Sequence, residues 1–73
     1  MNTKKDINYL KETIEIYKNM IKYEYDNIFN IVFDILLTYS INYNYTIKNL
    51  DKINNENVLK ELEKLIRFIE KNN

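Results

Sequence analysis

Seventy-three residues with no Cys, His, Gly or Pro make at most one small domain, spanning 1–73, without disulfide or zinc staples. Eleven basic and eleven acidic side chains cancel to a formal net charge of zero, which argues against a general nucleic-acid binder, since such proteins carry a basic excess on one side. Stability margins are thin at this size, so apolar surface must be covered by tight helix packing or by self-association, most simply as a two-fold dimer.

The composition is rich in Ile, Asn, Lys and Tyr and lacks Gly, Pro, Ala, Gln and Trp. The abundant residues use A/T-rich codons and several of the missing ones G/C-rich codons, which indicates an AT-rich genome. The absence of Gly and Pro therefore does not prove unbroken helices. Asn must serve wherever a cap or turn is needed.

From the N-terminus, Thr3 is a candidate N-cap with Asp6 in an imperfect capping box. Ile7, Leu10, Ile14, Tyr17 and Ile21 then recur at three and four, opposite Asn8, Lys11, Glu12, Glu15, Lys18, Asn19 and Lys22. This spacing predicts an amphipathic helix over 4–24. A second apolar column, Tyr9, Ile16 and Tyr23 with Met20 beside it, widens the buried arc enough to touch two neighbours.

The stretch 27–43 is apolar almost all round, except for a narrow seam of Asn27, Asn30, Asp34 and Thr38. It predicts a second helix buried on most sides, with a core around Ile28, Ile31, Val32, Ile35, Leu36 and Tyr39. Ile7, Ile14, Ile21, Ile28 and Ile35 repeat at sevens, as in a continuous coiled-coil seam. The polar direction, however, rotates by roughly 130° across the junction at the helical period. Two helices, with Asp26 or Asn27 capping the second, explain that switch more simply. The competing architecture is one long helix over 4–42 plus a C-terminal helix, joined into an intermolecular bundle.

Residues 40–47 alternate apolar and polar, which alone suggests a strand. One short strand without a partner makes no sheet, so a helix end running into an Asn-rich connection is expected. Thr46 could cap a short helical turn over 47–53. After Asn54-Asn55, the set Val58, Leu59, Leu62, Leu65, Ile66 and Ile69 predicts a third helix over 55–71. Glu56–Lys60 and Glu63–Arg67 offer i,i+4 ion pairs in the favourable order. The expected fold is all-α, a small antiparallel three-helix bundle that self-associates.

Catalysis finds few candidates. His and Cys, the commonest general base and the strongest common nucleophile, are absent, and without Gly no phosphate-cradling loop of familiar type can form. Ser40 has no His to activate it. Glu12, Glu15, Glu24, Glu61, Glu63 and Glu70 read as surface charge. No spacing resembles a calcium loop, so neither a metal nor a cofactor is expected.

Two features point to binding instead. Asp34 interrupts the most apolar helix, where its seam faces either solvent or a symmetry mate whose register it fixes. Seven tyrosines, including Tyr9, Tyr23, Tyr39, Tyr43 and Tyr45, supply rigid apolar area with a polar tip, a side chain favoured at protein interfaces. The candidate interface is thus Tyr9, Ile16, Met20, Tyr23, Asp34, Tyr39, Tyr43 and Tyr45. The expected function is that of a non-enzymatic module that binds a partner protein, such as a phage- or mobile-element-encoded inhibitor or immunity factor. The alternatives are a small nucleic-acid-associated regulator (an antitoxin or repressor) and an oligomer that sequesters a small ligand. No signal peptide is visible, and the apolar core of 27–43 is too short to span a bilayer. A cytoplasmic protein is expected, in the host cytoplasm if phage-encoded.

Overall fold

A computed structural model of the chain describes residues 2–21 and 28–72. The chain forms α1 (Thr3–Ile21), α2 (Ile28–Asn42), a short 3-10 turn (Leu50–Lys52) and α3 (Val58–Lys71), with no strand among the described residues. This is the expected all-α three-helix bundle.

The long-helix alternative does not form. A straight helix rising 1.5 Å per residue would hold Tyr9 and Tyr39 about 45 Å apart, whereas their rings stack with centroids 5.8 Å apart. α1 and α2 therefore lie side by side and not in line. Asp26 and Asn27, the expected caps of the second helix, lie outside the described residues.

Contacts fix the helix directions. Tyr43, just past the end of α2, donates its hydroxyl hydrogen bond to Asp6 in the first turn of α1. Tyr17, late in α1, donates to Asn55 Oδ1 just before α3, at 2.9 Å. Thus α1 runs antiparallel to both partners, and α2 and α3 run in the same direction. The expected antiparallel packing thus holds for α1 against both partners, while the long connection lets α2 and α3 share a direction. The connection 43–57 returns along the bundle, beginning where Tyr45 packs on Phe68 at 5.0 Å between ring centroids.

The core differs from expectation in its centre. The fully buried apolar residues are Leu10, Ile14 and Tyr17 of α1, Val32 and Leu36 of α2, and Val58, Leu62, Leu65, Ile66 and Ile69 of α3. The α3 stripe was fully legible, with Leu59 half-buried at its edge. By contrast, Ile28, Ile35 and Tyr39 are only half-buried, while Ile31 remains 56% and Ile41 75% exposed. The reason is a shortage of neighbours. α1 covers one flank of α2 and α3 another, and nothing among the described residues covers the rest.

Asn takes over the capping work that Gly and Ser perform elsewhere. Asn2, and not Thr3, caps α1, its Oδ1 accepting the Lys5 N–H at 3.1 Å. At the end of α2, Asn44 adopts φ 57°, the left-handed conformation that Asn tolerates better than most residues. The Tyr45 N–H then reaches Ser40 O at 2.8 Å and the Asn44 N–H reaches Ile41 O at 3.2 Å, the paired bonds of a Schellman stop. This helix stop accounts for the strand-like alternation of 40–47. Asn49, also at φ 57°, precedes the 3-10 turn, so Thr46 is not its cap. Asn54 Oδ1 accepts the N–H groups of Glu56 at 2.9 Å and Asn57 at 3.1 Å, and α3 begins only at Val58. Glu56 thereby falls outside the helix. Among the described residues the ion pairs are Glu15–Lys18 at 3.7 Å and Glu61–Lys64 at 3.1 Å, not the two expected i,i+4 pairs.

One buried side-chain group among the described residues is unsatisfied. Ser40 Oγ sits in the core without a hydrogen-bond partner among the described residues. A buried hydroxyl in that condition costs about 1–3 kcal/mol. Ser40→Ala removes it and improves helix propensity. The expected result is a gain of about 1 kcal/mol, read by thermal denaturation as a rise in Tm of roughly 4–8 °C. Among the described residues, no helix is long and apolar enough to cross a membrane.

Candidate functional site

The incomplete covering of α2 creates the main surface feature. Between α1 and α2 runs a groove of about 190 Å³, lined by Tyr9, Glu12, Thr13 and Ile16 from α1 and Ile28, Ile31, Val32 and Ile35 from α2. Thr13 and Val32 are buried at its floor. Thr13 turns its hydroxyl away from the groove's business, donating to Tyr9 O at 2.9 Å, and so behaves as a near-apolar floor residue. Ile16, 55% exposed, and Ile31, 56% exposed, form opposite walls with Tyr9, 45% exposed.

Local sequence explains the α1 wall. Leu10, Ile14 and Tyr17 occupy the stripe turned to the core, while Tyr9 and Ile16, seven residues apart, form the adjoining column at the helical period. Met20, half-buried, lies one turn beyond Ile16. The second apolar column therefore borders α2, as the wide arc implied, but α2 does not cover it. Tyr23 lies outside the described residues.

The α2 wall is the part that sequence reasoning placed in the core. Of the residues expected at the bundle centre, Ile28 and Ile35 are half-buried against the core and also line the groove, whereas Ile31 is largely exposed on its wall. The available signal was arithmetic: a helix apolar all round needs neighbours all round, and two helices cannot supply them. Asp34 is exposed with Asn30 and Thr38, on the outer face one turn from Ile31. None of the three lines the groove; the seam's fourth member, Asn27, lies outside the described residues.

The tyrosines separate into two groups. Tyr9, Tyr39 and Tyr43 gather with Asp6 at one end of the α1–α2 pair, through the ring stack and the Tyr43–Asp6 hydrogen bond. Tyr45 lies apart from them, against Phe68 of α3. All three of Tyr39, Tyr43 and Tyr45 are half-buried, and the last two tie the connection to the bundle.

Burial pushes the phenols of Tyr17, Tyr39 and Tyr43 above the ordinary tyrosine value, which is about 10. The nearby Asp6 carboxylate and then Tyr9 raise Tyr39 further. For Tyr43 the hydrogen bond to Asp6 adds to burial, against an opposing contribution from Thr3. A raised pKa means that the fold favours the protonated phenol. Its stabilising contribution is fully present below about pH 10 and is lost as pH rises through the folded values. Denaturation midpoints measured at stepped alkaline pH are expected to fall above about pH 10, less steeply in Tyr39→Phe and Tyr43→Phe; identical slopes would contradict the assignment.

No group of three or more acidic side chains converges on a metal-sized space among the described residues. The groove offers contact area and a few charges at its rim. Comparison with family models, with curated proteins and with solved structures finds no match.

Proposed function

We propose that the chain is a non-enzymatic binding module that docks a partner protein in the α1–α2 groove. The observation that carries this reading is the pair Ile16 and Ile31, each more than half exposed on opposite walls of one apolar concavity. A contiguous apolar patch that a small domain leaves open marks an interaction surface. The tyrosine rings support a protein partner over a small ligand. Tyr9 and Tyr39 stack on each other, Tyr43 is bonded to Asp6 and Tyr45 covers Phe68, so they do not converge around an open pocket. A chain that only docks acts by occupying its partner's surface, which is how an inhibitor or immunity factor works.

The test is a photoreactive residue at position 31 in cells that make the protein. One discrete adduct with another protein is expected, competed away by unlabelled wild type but not by Ile31→Lys. No adduct, or an adduct that Ile31→Lys competes for equally, would overturn the proposal.

A further inference from the structure

We draw no further inference here: the strongest candidate, the apolar groove between α1 and α2, belongs to the docking surface already described, and nothing among the described residues shows which occupant covers it.

Discussion

Leu62→Ala is expected to destabilise the protein by about 2–5 kcal/mol, whereas Ile31→Ala is expected to cost less than ~1 kcal/mol. The contrast follows from where each side chain sits. Leu62 is fully buried on α3, in one cluster with Leu10, Tyr17, Leu36 and Leu65, so truncation there loses transfer energy and leaves a cavity. More than half of Ile31 is in water already, and its removal opens no enclosed space. A domain of this length has a total stability of roughly 4–11 kcal/mol, so Leu62→Ala consumes a large part of it. Denaturant midpoints read both variants. Comparable losses would return α2 to the centre of the bundle and close the groove.

The second large effect concerns binding. Ile31→Lys is expected to weaken capture of the partner by at least ~30-fold, the equivalent of about 2 kcal/mol, with the thermal midpoint nearly unchanged. Interface energy concentrates in a few apolar anchors near the centre of a patch, and Ile31 stands on the groove wall facing Ile16. A lysine there would put a charge where the docked surface has to be apolar. The long lysine stem can lie along the groove wall with its ammonium in water, which is why the free protein tolerates it. Lost binding accompanied by lost secondary structure would show the effect to be one of folding. Unchanged binding would remove Ile31 from the interface.

What the sequence made legible depended on how local the cause was. The stripe of α3 is set by five side chains within one helix turned towards one side, and Val58, Leu62, Leu65, Ile66 and Ile69 are all buried as their spacing implied. The use of Asn for caps was legible from the absence of Gly. Which Asn does what was not, because Asn44 reaches its left-handed conformation only where α2 stops. The misreading of α2 has a different origin. Its apolar content was taken to imply burial, but content states what a helix would prefer, and burial depends on the neighbours the chain can supply. With α1 antiparallel to both other helices and 43–57 returning beside α3, Ile31 and Ile35 are left at the groove and Ile41 on the outer face. The Tyr9–Tyr39 stack and the Tyr43–Asp6 bond join residues far apart in sequence, so no periodicity could have announced them.

The most direct measurement is photo-crosslinking from paired positions in cells that make the protein. Positions 16 and 31 lie on the two groove walls, and positions 18 and 63 line the α1–α3 cleft on another side of α1. The expected result is one adduct of the same mass from 16 and from 31, joining the chain to another protein, with no adduct from 18 or 63. An adduct from 18 and 63 but not from 16 and 31 would contradict the groove as the docking surface.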